Sequence, residues 1–475
     1  NQKLIGSNSV RKLQFIQIGL TAVTVLIVLM FCFQTFWNST SVSIPVYAAL
    51  GLISAITIGC CVCFLQRRIG FDLIALAAFF AVAWLSSILA IGFNVKFIYS
   101  AFVCISLSYL AVYNTFYSIP DYEKLIKTIS AVIAVANSAI CIFVLINASR
   151  SLFYEEPLED KMNGCFTGWR LCGLHNPNSM AMICLALLLI SVFGIIKTQK
   201  TARILYSISA FLGWFTLGLT GSRTSQLAFS ATACLFVFAL LQEKARKGIQ
   251  EKKRVVIRII FVLIIAIAVT ALVFVTFALP TFIYKGIMFI IAKIINNEFL
   301  LNNVIGAAPR EINVDPTASG RLGIWKQVLR DISQDSRHLL FGISYFGEGM
   351  IHVSVGETEI VFDQSHNIIL EWTRKFGLVG LIAWLFPLGY WVVNGVKLLF
   401  SGEERTEYRY LAAGMGGLLL TGMAETSPFY PGALLAPLFF LICGLCVRLN
   451  RDREAQKAGE APAGTLSETP EERVE

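Results

Sequence analysis

Uninterrupted apolar runs dominate this chain, and about a dozen of them are long enough to cross a bilayer as helices. Spanning the hydrocarbon core takes roughly 20 apolar residues. Runs of that size fall near 14–37, 44–65, 71–92, 95–118, 124–147, 177–196, 202–220, 224–241, 256–279, 376–399, 407–424 and 431–448. Most are joined by short polar links. Two long polar segments interrupt the rhythm, at 148–176 and 280–365. The pattern predicts an all-α polytopic transmembrane bundle of about 12 spans over 1–450, with the large loop 280–365 between spans nine and ten. Within that loop, 282–300 is apolar but carries Lys285 and Lys293. This predicts an amphipathic helix lying on the membrane surface or packed on the bundle. The tail 451–475 is rich in Ala, Gly, Pro, Glu and Thr with no core-forming period, so it reads as disordered. No internal repeat stands out.

Composition agrees with this reading. Of 475 residues, 56% are hydrophobic and 15% charged, where a soluble domain carries roughly 25% charged residues. The net charge of +9 is topological and does not point to nucleic acid. The basic residues sit in alternate links: Lys3, Arg11 and Lys12, then Arg67 and Arg68, then Lys197, Lys200 and Arg203. Lys244, Arg246, Lys247, Lys252, Lys253 and Arg254 follow, then Arg405 and Arg409, and finally Arg448, Arg451 and Arg453. With 12 spans these all fall on one side, which the positive-inside bias makes cytoplasmic. Both termini are then cytoplasmic, and the two long segments are extracytoplasmic. The first apolar run lacks a small-residue cleavage site and reads as a retained span. Most of the 12 cysteines lie inside apolar runs, where they behave as small hydrophobes.

Four polar patches fall on the outer side. Gly168-Trp169-Arg170-Leu171-Cys172-Gly173-Leu174-His175-Asn176-Pro177-Asn178 precedes span six. Arg170 is either a planar fork for an anion or a snorkelling interfacial charge. Thr220-Gly221-Ser222-Arg223-Thr224-Ser225 links spans seven and eight, with Arg223 the sole charge between two apolar runs. A charge at that depth needs a partner or a wet cavity. Ser319-Gly320-Arg321-Leu322-Gly323-Ile324-Trp325 reads as the start of an amphipathic helix with Arg321, Trp325 and Leu329 on one stripe. Alone, Arg321 is a solvated charge. Asp363-Gln364-Ser365-His366-Asn367 leads into span ten. His366 is either a cap or a neutral imidazole beside a helix N-terminus, able to accept a proton. Three Arg and one His on one membrane face suit phosphate recognition and general-base work. No metal motif accompanies them, so the chemistry is expected to need neither metal nor cofactor.

In order and sidedness these patches resemble the bacterial O-antigen ligase and O-antigen polymerase superfamily of membrane glycosyltransferases. The resemblance covers 165–445. It rests on Arg170-Leu-Cys-Gly, Asn176-Pro-Asn, Gly221-Ser-Arg-Thr, Ser319-Gly-Arg-Leu-Gly-Ile-Trp, Leu340-Phe-Gly-Ile, Ser365-His-Asn-Ile-Ile-Leu-Glu-Trp and the late Glu425-Thr-Ser-Pro. It implies a metal-independent, inverting glycosyltransferase of the bacterial inner membrane. The donor would be an undecaprenyl-diphosphate-linked glycan at the outer leaflet, and the acceptor a glycan or lipid hydroxyl. Arg170, Arg223 and Arg321 would bind the diphosphate and His366 would serve the acceptor, with Arg223 and Arg321 also stabilising the leaving charge. Cys165 and Cys172, both placed outside, either form a disulfide that fixes the Arg170 loop or remain thiols. The competing reading is a 12-span secondary transporter, which usually shows paired halves around a midplane site.

Overall fold

The computed structural model describes residues 7–33, 43–63, 70–91, 97–153, 166–167, 170–173, 177–246, 252–306, 321–343, 350–355, 358–362, 364–401, 405–425 and 435–458. Five helices come first: α1 Ser7–Cys32, α2 Ser43–Cys63, α3 Phe71–Ile91, α4 Phe97–Ser118 and α5 Tyr122–Phe153. A minimal antiparallel hairpin follows, β1 Phe166–Thr167 with β2 Arg170–Leu171. Next come α6 Pro177–Lys197, α7 Lys200–Thr220, α8 Arg223–Arg246, α9 Lys252–Thr276, α10 Leu279–Ile294 and α11 Glu298–Gly306. The large loop holds α12 Arg321–Gln334, α13 Ser336–Phe341 and an antiparallel hairpin, β3 Ile351–Val355 with β4 Thr358–Phe362. The chain closes with α14 Ile368–Leu399, α15 Thr406–Gly422 and α16 Leu435–Lys457.

This is an all-α polytopic bundle, and each apolar run of the sequence coincides with a helix. Among the described residues, nine segments are long and apolar enough to cross a membrane. Helix α16 lies deep in the bundle, with every side chain from Leu435 to Asn450 buried, packed against α4, α14, α15 and α6. Around it Tyr109, Trp391, Phe439 and Phe440 form an aromatic core. Outward faces are apolar too: Leu205, Ile257, Phe261 and Leu272 are each more than 60% exposed. Such faces are stable only against hydrocarbon.

One apolar segment, Val256–Ile294, runs for 39 residues, or ~58 Å of helix, about twice the thickness of the hydrocarbon core. It breaks at the turn 277–278, where Pro280 opens α10. Gly218 of α7 admits this corner, since a Cβ there would lie 2.5 Å from Pro280 Cγ. Helix α10 buries Tyr284, Met288 and Ala292. Its outward face carries Phe282, Ile290 and Ile294, so the amphipathic helix of the sequence reading presents mostly apolar side chains on both sides.

The large loop has its own small core, in which Ile324, Val328 and Ile332 of α12 meet Ile351 of β3. Arg321, Trp325 and Leu329 share one stripe of this helix, as expected; the fully buried stripe is the neighbouring one, one residue earlier, and Leu329 is exposed. The loop is pinned to the bundle at a break in α14. Gly377 has φ 67° and ψ −173°, a conformation open essentially to glycine alone. Gly342, with φ 72°, lies against it. The Ile343 N–H donates to the Arg374 carbonyl at 2.9 Å. A Cβ on Gly377 would lie 2.1 Å from the Leu340 carbonyl oxygen. Ser86 of α3 caps the junction, its hydroxyl donating to the Phe341 and Phe376 carbonyls. Span ten, expected from 376, therefore starts as a helix at Ile368 and bends where the apolar run begins.

At the C-terminal end, α16 continues to Lys457, past the tail boundary expected at 451. An Arg448–Asp452 ion pair at 2.8 Å extends it. Residues 459–475 lie outside the described residues, as does Cys165 of the suggested disulfide, while Cys172 is buried.

Candidate functional site

Four helices present their first turns to one polar cluster. Asn178 stands in the first turn of α6, Arg223 and Thr224 in that of α8, and Arg321 opens α12. Before α14, Asn367 caps the helix, its carboxamide oxygen accepting from the Ile369 and Leu370 N–H groups at 3.0 and 3.1 Å. His366 directly precedes this cap. Helix N-termini carry partial positive charge and unsatisfied N–H groups, so their convergence favours an anion.

The residue that unites the cluster is Glu425, in the turn after α15. It is 3% exposed. Arg321 Nη2 lies 2.5 Å from its Oε1, and His366 Nδ1 lies 2.9 Å from its Oε2. Asn178 Nδ2 donates to Oε1 at 3.0 Å. A buried carboxylate is costly unless it is paired and hydrogen-bonded, and these three donors meet that need. The contact with Glu425 makes Nδ1 the protonated ring nitrogen. In the neutral ring, Nε2 is then left as an acceptor.

Arg170 is held from β2. Its Nε donates to the Thr220 carbonyl at 2.9 Å and its Nη2 to Asn178 Oδ1 at 3.2 Å. The Asn178 amide is therefore oriented by two partners, one at each end. Gly221 stands beside this contact. It ends α7 with φ 58°, the left-handed cap that glycine adopts without strain. An added Cβ there would contact Arg170 Cγ and Nε at 3.4 Å. Arg321 Nη1 reaches Thr224 Oγ1 at 3.5 Å. Arg223 is exposed and has no hydrogen-bond or ion-pair partner among the described residues.

His366 is strained, with φ 51°. The left-handed region costs a non-glycine residue about 1–2 kcal/mol. Ser365 and Asn367 on either side are buried, and Asn367 Nδ2 donates to the Met423 carbonyl at 3.0 Å. The chain into α14 is thereby tied to the turn that carries Glu425.

The structure thus gathers Arg170, Arg321 and His366 into one hydrogen-bonded network and sets Arg223 beside it. Glu425 and Asn178 complete the network. In the sequence Asn178 reads only as part of a turn opening a helix, and Glu425 only as one residue of a motif. Three cations against one carboxylate leave the site an excess of positive charge. Among the described residues no cluster of His, Cys, Asp or Glu has metal-site geometry.

Compared with known protein families, residues 208–385 match O-antigen ligase. The matched stretch contains Arg223, Arg321 and His366, while Arg170, Asn178 and Glu425 lie on either side of it. No curated protein matches the chain.

Proposed function

We propose that this protein, which matches the O-antigen ligase family over residues 208–385, is a bacterial inner-membrane glycosyltransferase of about twelve spans acting at the outer leaflet. It takes a glycan from undecaprenyl diphosphate and joins it to an acceptor hydroxyl, as a ligase or a polymerase of surface polysaccharide. The observation that carries this reading is the shared carboxylate. Glu425 holds a phosphate-binding cation, Arg321, on one oxygen and a proton acceptor, His366, on the other.

The reaction is a single displacement. His366 Nε2 removes the acceptor proton as the oxygen attacks the anomeric carbon. The bond from that carbon to the diphosphate oxygen breaks with inversion. Glu425 fixes the tautomer of His366 and steadies the imidazolium that forms, as the buried aspartate does in a Ser-His-Asp triad. Arg223 and Arg321, with Arg170 behind them, take up the charge that develops on the diphosphate. General-base catalysis contributes about 10²–10⁴-fold, and one well-placed donor at a developing charge about 10²–10³-fold. The charge being stabilised falls to guanidinium groups and helix N-termini, so no metal enters the scheme.

A transporter site would be expected near mid-span. Here the polar residues cluster at helix ends, which suits a substrate carried at the membrane surface. The test is transfer by purified protein in liposomes, using lipid-linked glycan extracted from cells that make it. Release of undecaprenyl diphosphate together with glycosylated acceptor supports the reading. Sugar movement across the bilayer without transfer would refute it.

A further inference from the structure

The strained backbone at His366 is not held by the site residues alone. Both main-chain polar groups of the residue just before it are held by side chains. The Ser365 N–H donates to Glu371 Oε2 at 2.8 Å, and the Ser365 carbonyl accepts from Trp325 Nε1 at 2.9 Å. Ser365 is fully buried, so water cannot replace either partner. Glu371 is itself aimed by Arg374, whose Nη2 meets Oε1 at 2.7 Å. Both members of that pair are at most 3% exposed.

A buried ion pair is often no more stabilising than apolar residues of the same volume. This one lies in the first turns of α14, where burial of the helix does not require charge. What it does is orient an acceptor at the Ser365 N–H. Trp325 has a second connection as well. It stands four residues after Arg321 on α12, which puts the two side chains on one helix face. One helix therefore delivers a cation to Glu425 and an indole N–H to the peptide behind His366.

We propose that Glu371 and Trp325 are positioning residues that clamp the Ser365 main chain, one at its N–H and one at its carbonyl, and so hold His366 in the left-handed conformation from which its imidazole reaches Glu425. The clamp couples the helix bearing Arg321 to the base, so the diphosphate grip and the proton acceptor keep a fixed spacing. This rests on the reading of His366 as the base that serves the acceptor.

The test compares four proteins in the undecaprenyl diphosphate release assay: the parent, His366→Ala, Trp325→Phe and Glu371→Gln. Trp325→Phe keeps the ring in its packing and removes only the N–H. It is expected to lower kcat about tenfold, the scale of one lost hydrogen bond, while leaving the KM for the lipid-linked donor unchanged; the thermal midpoint falls modestly, because the buried Ser365 carbonyl loses its donor. Glu371→Gln retains an acceptor for the Ser365 N–H but loses the charge that Arg374 orients. It is expected to show the same split with a smaller loss. An unchanged kcat in both variants overturns the clamp, and so does a raised donor KM at constant kcat. Full activity in His366→Ala instead overturns the underlying reading of the base. Loss in His366→Ala with none in the other two overturns the clamp alone.

Discussion

Glu425→Gln is the perturbation that probes the site most sharply. The carboxylate accepts from three donors: Arg321 at 2.5 Å, His366 at 2.9 Å and Asn178 at 3.0 Å. Glutamine keeps the shape but offers one acceptor oxygen and turns an NH₂ toward the other donor. If the oxygen stays with Arg321 and Asn178, the NH₂ faces His366 Nδ1. The ring then flips its tautomer, and Nε2 becomes the protonated nitrogen. A base in the wrong tautomer forfeits most of its contribution of about 10²–10⁴-fold. The imidazolium also loses its counter-charge. We expect kcat to fall about 10³-fold, or ~4 kcal/mol at 1.36 kcal/mol per decade. The donor KM should change little, because Arg223 and Arg321 remain. Glu425→Asp, which keeps the charge, should recover part of the loss. The assay is undecaprenyl diphosphate release by protein that elutes as a single species. Turnover of Glu425→Gln within threefold of the parent would refute the reasoning.

Other expectations follow from the same geometry. Arg223→Ala should lower turnover by about 10²–10³-fold with no change in the thermal midpoint, since Arg223 has no partner among the described residues. Gly377→Ala should destabilise the fold by about 3 kcal/mol or more, because its Cβ would lie 2.1 Å from the Leu340 carbonyl oxygen. The readout is loss of monodisperse protein on size exclusion. Transfer should persist in excess EDTA, and loss of turnover restored by a divalent cation would contradict the metal-free scheme.

The length and spacing of the apolar runs carried most of the fold. The runs at 177–196 and 202–220 reappear as α6 Pro177–Lys197 and α7 Lys200–Thr220, because a spanning helix must satisfy its backbone internally and offer an apolar exterior. The break in α14 was less visible. Glu371, Arg374 and Lys375 placed its first turns outside the apolar run, yet all three are buried among protein. Only Gly377 marked the bend. In the site, Arg170 and His366 stand out beside apolar spans, whereas Arg321, within the large loop, reads alone as a solvated charge and gains a role only through the resemblance. Glu425 could not be assigned a role that way. A lone acid in a short turn carries no period, and its role arises when α6, α12 and α14 converge on it. Asn178 gave a signal only as a turn residue beside Pro177, and its bridging of Arg170 to Glu425 is a tertiary fact.

The central claim is that His366, held by Glu425, serves an acceptor while nearby arginines take up a departing diphosphate. A single-turnover measurement in liposomes tests it most directly. Parent and His366→Ala proteins are loaded with lipid-linked glycan and then mixed with acceptor. Both proteins should bind the donor with similar affinity, and only the parent should release undecaprenyl diphosphate and form the glycosylated acceptor. Equal transfer by the two proteins would contradict it.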